Sequence, residues 1–119
     1  VQTVNLLEPS GWLAWVYLLL AGVFEIFFTT TMKLSNGFSM QRPGYVVAFC
    51  AFALCSFSMI NLAIKGIPLG TAYAIWTGIG VLGTTLIGIF FFHDPTDWQR
   101  MLFLGMLLVS VIGLKLVSN

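Results

Sequence analysis

Ala21-Gly22-Val23-Phe24-Glu25-Ile26-Phe27-Phe28-Thr29-Thr30-Thr31-Met32-Lys33 is the stretch that decides how this chain is read. Glu25 is its one acid, and no other charged residue occurs from Gly11 through Met32. About 20 apolar residues cross a bilayer as a helix, so Glu25 falls a little past the middle of a span. Every other charge lies at an end of an apolar run or in a connection. A carboxylate at that depth is costly, and it either takes up a proton or finds a cation. Hydrogen bonding between helices is the bland alternative. Intramembrane acids more often mark an ion or proton pathway.

Composition agrees with a membrane location. Of 119 residues, 59% are hydrophobic and 8% are charged, against about 25% charged in a soluble domain. The length is used up by membrane spans, which excludes a soluble catalytic or nucleic-acid-binding domain. The net charge of +1 offers no basic patch. Residues 1–10 read as a tail without the basic segment and cleavage site of a signal peptide. Residues 11–119 read as one transmembrane domain of four helices, the part of the chain in which any transport function must reside.

Outward from Glu25, the first helix is expected over Gly11–Met32. Trp12, Trp15 and Tyr17 stand at its start, where an interfacial aromatic belt belongs. A second helix is expected over Gly44–Ile64, a third over Leu69–Phe92 and a fourth over Trp98–Val117. Ser35-Asn36-Gly37, Lys65-Gly66-Ile67-Pro68 and His93-Asp94-Pro95 are the punctuation between them. The fold class is therefore all-α, a membrane protein of four transmembrane helices. Gly78 and Gly80 are the candidate points for a bend in the third helix. Cys50 and Cys55 read as ordinary small helix residues, because their spacing suits neither a metal nor a redox motif. His93 reads as solvated surface.

Four helices place both termini on one side. Lys33, Arg42 and Arg100 then share one side, and Lys65 and Lys115 the other. This excess of basic residues sets orientation, and three against two is almost no bias, which permits insertion both ways up. Four short helices also have little interior in which to enclose Glu25, so an oligomer is expected. Gly105, Ser110 and Gly113 on the fourth helix offer small-residue spacing for close approach between helices. Packing within one subunit is the alternative use of that face.

Residues three, four and seven apart share a helix face. Around Glu25 that face holds Leu18, Ala21, Gly22, Phe28, Thr29 and Met32. On the third helix it holds Tyr73, Trp76, Thr77 and Gly80. Packed together, the two faces would make an acidic site with aromatic walls, suited to a cation of planar or apolar character through charge and cation–π contact. Tyr73 and Trp76 taken singly could as well be packing residues with a hydrogen-bonding tip. Motifs for nucleotide binding, metal and covalent catalysis are missing, so the chain is not expected to be an enzyme, an ATP-driven pump or a holder of a cofactor.

Four pieces of sequence carry a resemblance. They are Glu25 followed eight residues later by Lys33, then Gly70-Thr71-Ala72-Tyr73-Ala74-Ile75-Trp76-Thr77-Gly78-Ile79-Gly80, then Phe91-Phe92-His93-Asp94-Pro95, and the ending Gly113-Leu114-Lys115. From about Trp12 onward the chain closely resembles the small multidrug resistance family of bacterial exporters. That resemblance implies a proton-coupled antiporter in the bacterial inner membrane, working as an antiparallel, dual-topology dimer. It places the essential acid on Glu25, the binding-site Tyr and Trp on Tyr73 and Trp76, and a helix 2 Ser, expected to hydrogen-bond Glu25, on Ser56.

The third-helix motif is similar to that of guanidinium exporters. Those proteins usually carry a Trp three residues after the acid, where this chain has Phe28. Phe28-Thr29-Thr30-Thr31-Met32-Lys33 is more similar to quaternary-ammonium exporters, and Phe28 cannot donate a hydrogen bond to Glu25. The sequence therefore reads as a proton-driven exporter of quaternary-ammonium or guanidinium-type cations, with Thr29 as a candidate hydroxyl for Glu25 and selective guanidinium export as the alternative. Its partners are a small cation, protons, lipid, and a second copy of itself or of a related chain. Two rivals remain: a small dimeric ion channel, which an acid in the pathway disfavours for anions, and an inert half of a heteromeric pair.

Overall fold

A computed structural model describes residues 11–117, so the tail expected over 1–10 lies outside the described residues. The chain forms α1 (Trp12–Leu34), α2 (Pro43–Ala63), α3 (Leu69–Phe92) and α4 (Trp98–Val117). Each is long and apolar enough to span a membrane, and no strand occurs among the described residues. The bounds of α3 and α4 match the sequence expectation. α1 runs two residues further than expected, because Ser35 closes it. The Ser35 hydroxyl donates to the Met32 carbonyl at 2.7 Å and accepts the Phe38 N–H at 2.9 Å. Asn36, Gly37 and Phe38 then turn the chain with positive φ of 54°, 74° and 63°. Arg42 donates to the Leu34 carbonyl at 2.8 Å, which places a cation where the helix dipole is negative. Pro43 stands in the first turn of α2, where its missing N–H costs nothing.

At the other connections the ends are equally local. Pro68 precedes α3, and its carbonyl accepts the Ala72 N–H at 2.9 Å. His93 ends α3 in the left-handed region, with the Asp94 N–H donating back to the Gly88 carbonyl at 3.1 Å. His93 is exposed, as the sequence suggested.

α1 is the hub. It packs along both α2 and α3, whereas α4 packs mainly against α3 and reaches α1 through Lys115, whose ammonium lies 4.5 Å from the Trp15 ring centre. The buried apolar core is Ala14, Leu18, Ala63, Ile67, Ala72 and Ile75. These residues come from α1, α3, the last residue of α2 and the α2–α3 connection, and they lie toward the N-terminal end of α1. Its small members let the helices approach closely. Gly22 works in the same way, since a Cβ there would collide with the side chain of Ile79. The subunit is flat. Its extents are 52 × 36 × 17 Å, and the short one is less than two helix diameters of about 10 Å each. A flat subunit of this kind fully encloses few side chains, and none larger than Leu18 among the described residues.

No residue of α4 is buried. Gly105 and Ser110 are exposed, and a Cβ added at Gly105 or Gly113 would meet nothing within 4 Å. Along this helix, Met101, Leu102, Gly105, Met106, Val109 and Ser110 line an open groove of about 640 Å³. The small residues of α4 are therefore not used for packing inside the subunit.

Candidate functional site

α1 and α3 run in the same direction, and their polar residues pair in steps of four. On α1 the stripe is Ala21, Glu25, Thr29, and on α3 it is Trp76, Gly80, Thr84. Four residues advance a helix by about one turn, so the two stripes stay in register. Trp76 Nε1 donates to the Ala21 carbonyl at 3.3 Å. A Cβ on Gly80 would overlap the Glu25 carboxylate. The hydroxyls of Thr29 and Thr84 are 2.7 Å apart.

Gly80 explains how an acid fits between two membrane helices. With no side chain on α3 at that level, the carboxylate lies against bare backbone. Glu25 is half-buried, and its Oε1 is fully covered with no hydrogen-bond partner among the described residues. A covered carboxylate oxygen without a donor is an unsatisfied group, and a cation or a proton satisfies it. Glu25, Thr29, Gly80, Val81, Thr84 and Thr85 line a cavity of about 230 Å³ at this place.

Ser56 differs from its expected place. It is fully buried, but its hydroxyl donates to the Ala21 carbonyl at 2.7 Å and accepts from Trp76 Nε1 at 3.0 Å. The hydrogen bond expected from Ser56 to Glu25 is thus replaced by a knot that joins α1, α2 and α3 one turn before the acid. The reason is geometric. Ser56 faces the level of Ala21, and the indole reaches the same carbonyl from α3. Thr29 likewise bonds to main chain, donating to the Glu25 and Ile26 carbonyls at 3.0 Å each, which is ordinary for Thr inside a helix. Its hydroxyl does not bond the carboxylate of Glu25.

Phe28 turns toward α2. Its ring lies 5.6 Å from Phe49 and 5.9 Å from Phe57. Phe57 in turn meets Trp76 at 5.9 Å, and Trp76 meets Tyr73 at 5.8 Å. An aromatic chain therefore connects Phe28 to Tyr73 through α2. Tyr73 is 59% exposed. With Trp76 and Asn61 it borders a second cavity, of about 340 Å³, that shares no lining residue with the one at Glu25. One subunit thus brings Glu25, Trp76, Ser56 and Thr29 to consecutive levels of a seam and leaves Tyr73 on an open face. Gly78, offered by the sequence as a bend point, lies against Val111 of α4, where a Cβ would collide. Among the described residues no group of three or more His, Cys, Asp or Glu could hold a metal.

The face reading of the sequence stopped at Gly80 and missed Thr84. The signal was present, since Trp76, Gly80 and Thr84 continue the same spacing by four.

The model of the family described as Small Multidrug Resistance protein matches residues 13–107. The chain is 40% identical to a "Guanidinium exporter" of Proteus vulgaris and 41% identical to one of Yersinia pseudotuberculosis, each over 89% of this chain and 100% of the relative. It is 39% identical to a "Probable guanidinium efflux system subunit GdnD" of Bacillus licheniformis, over 87% of this chain and 98% of the relative.

Proposed function

The chain belongs to the small multidrug resistance family of multi-pass inner-membrane transporters, and from that premise we propose that it exports guanidinium-type small cations in exchange for protons. The observation that carries the reading is Glu25, whose carboxylate sits at mid-span against Gly80 with one oxygen covered and unpartnered. Deprotonated, it holds a cation. Protonated, it releases the cation. Protons and substrate therefore compete for one group, and that competition couples their movements.

The substrate class shifts from the quaternary-ammonium preference first read from Phe28. The names of the relatives support guanidinium. The ring of Phe28 packs on Phe49 and Phe57 of α2, so the residue on which the quaternary-ammonium preference was read is engaged with α2. The third-helix motif is the better guide. Quaternary-ammonium compounds remain in the proposed range only as minor substrates.

The working unit is an antiparallel homodimer in which two Glu25 residues share one cavity and Tyr73 and Trp76 of each copy wall it. The exposed Tyr73, the flatness of the subunit and the unburied α4 with Gly105, Ser110 and Gly113 support this assembly. Ser56 sets the Trp76 indole, Phe28 and Thr29 flank the acid, and bending of α3 at Gly78 and Gly80 changes which side has access. A heteromeric pair is the second reading, favoured by the name of the Bacillus relative as a subunit.

The test is a transport panel on purified protein in liposomes with an imposed pH gradient, comparing guanidinium with tetrapropylammonium. Native protein should move guanidinium in a saturable, proton-driven way. Glu25→Gln, which keeps shape and removes the titrating charge, should form the same oligomer and lose that transport. Proton-driven uptake surviving in Glu25→Gln would refute the mechanism, and an inactive native chain revived by a second family member would establish the heteromeric reading.

A further inference from the structure

Beyond Thr29 and Thr84 the α1–α3 seam continues to the membrane end. Thr29, Thr30, Lys33, Thr84, Ile87, Gly88, Phe92 and Asp94 line a third cavity, of about 140 Å³. It shares Thr29 and Thr84 with the cavity at Glu25. Lys33 stands at its outer end, with the ammonium 5.8 Å from the Phe92 ring centre. Asp94 lies against Gly88, where a Cβ would collide with its carboxylate. Two cavities in line, joined at a hydroxyl pair 2.7 Å apart, thus lead from the buried oxygen of Glu25 to a charged rim. From Glu25 to Lys33 the distance is eight residues, about 12 Å along the helix.

We propose that this seam is the proton entrance to Glu25, with the Thr29–Thr84 hydroxyl pair as its neck, separate from the face of Tyr73 and Trp76 that meets the cation. The proposal rests on proton coupling through Glu25. Each cavity is roomy enough for water and offers it several polar partners, which is what an internal water requires. A hydroxyl both donates and accepts, so the pair passes a hydrogen-bonded chain that an apolar neck would break. At rest the Thr29 proton goes to main-chain carbonyls and Thr84 donates to Thr29, so a proton passes when the Thr29 hydroxyl rotates to donate to a water on the Glu25 side while it accepts from Thr84, which in turn accepts from water at the rim. A hydronium at the rim loses an O–H bond and Glu25 gains one, with no other change in charge or electrons. The charged groups lining the rim are Lys33 and Asp94; at the same end of the bundle stand Arg42, bonded to the Leu34 carbonyl, and Asp97 and Arg100 at the head of α4. α2 carries none between Pro43 and Ala63. The cation has a different approach, because the cavity at Tyr73 and Trp76 shares no residue with the seam.

Interhelical Thr–Thr bonds also serve simply to hold membrane helices together, and the experiment separates the two roles. Thr84→Val keeps the shape and removes the hydroxyl, and Thr84→Ser keeps the hydroxyl. Proton-driven guanidinium transport and equilibrium guanidinium binding at high pH are measured on the intact oligomer for native protein, both variants and Glu25→Gln. The expected result is a turnover about tenfold lower in Thr84→Val, the size of one lost hydrogen bond in the barrier. Binding should be unchanged within a factor of about two, and Thr84→Ser should restore turnover. Native turnover in Thr84→Val would overturn the seam alone and leave the antiport reading standing. A loss of binding equal to the loss of turnover, or no rescue by Thr84→Ser, would likewise assign Thr84 to packing. Native protein without proton-driven transport would remove the antiport reading, and the seam with it.

Discussion

Gly80→Ala isolates the contact that seats the carboxylate. The added methyl would overlap both oxygens of Glu25 as well as its carboxyl carbon. Carbon contacts settle at about 3.5–4.0 Å, so the carboxylate must withdraw by about 1 Å or more. What moves is the end of a flexible side chain and not backbone, so the fold tolerates the change. Alanine also favours a helix over glycine by about 0.5–1 kcal/mol, against an overpacking cost of about 1–3 kcal/mol. Net stability should therefore fall by no more than about 2.5 kcal/mol. Function should suffer more. Misplacing a reacting group by about 1 Å can cost up to about 100-fold, which corresponds to about 2.7 kcal/mol. The assay pairs thermal stability in detergent with guanidinium affinity and proton-driven flux, and Gly44→Ala is the control because a Cβ there meets nothing within 4 Å. Native affinity and flux in a folded Gly80→Ala protein would refute the claim that Gly80 positions Glu25.

Ser56→Ala removes the donor to the Ala21 carbonyl and leaves Trp76 only its longer bond of 3.3 Å, so stability should drop by about 1–3 kcal/mol, read as a lower melting temperature. Guanidinium affinity should fall with it as the indole loosens, and an unchanged affinity would separate the knot from the site. Phe28→Trp places a larger ring against Phe49 and Phe57 and should lower transport of tetrapropylammonium relative to guanidinium; an unchanged ratio would show that Phe28 does not shape selectivity. Cysteine labelling from each side of the membrane, in a background without Cys50 and Cys55, should find the α1–α2 connection on both sides, and labelling from one side only would remove the antiparallel dimer.

Sequence alone determined the four spans, because each is a run of apolar residues long enough for the bilayer and bounded by charge, Pro or Gly. It also singled out Glu25, since one acid in an uncharged span is conspicuous at any rotation of the helix. Rotation itself was less legible. A soluble helix shows its inner face by an apolar stripe, whereas these helices are apolar all round, and only Glu25, Ser56, Trp76 and the Thr residues hint at which side turns inward. The hydrogen bond assigned to Ser56 went to the wrong partner for a different reason: the residue points inward as expected, but the relative height of α1 and α2 sends its hydroxyl to the Ala21 carbonyl. Only the tertiary structure decided the shared register of α1 and α3, which lays Glu25 on Gly80 and Thr29 on Thr84. Only it showed α4 resting on α3 with no buried residue. Register and rotation come from how small and large side chains of different helices fit together in three dimensions. No spacing within one helix specifies that fit.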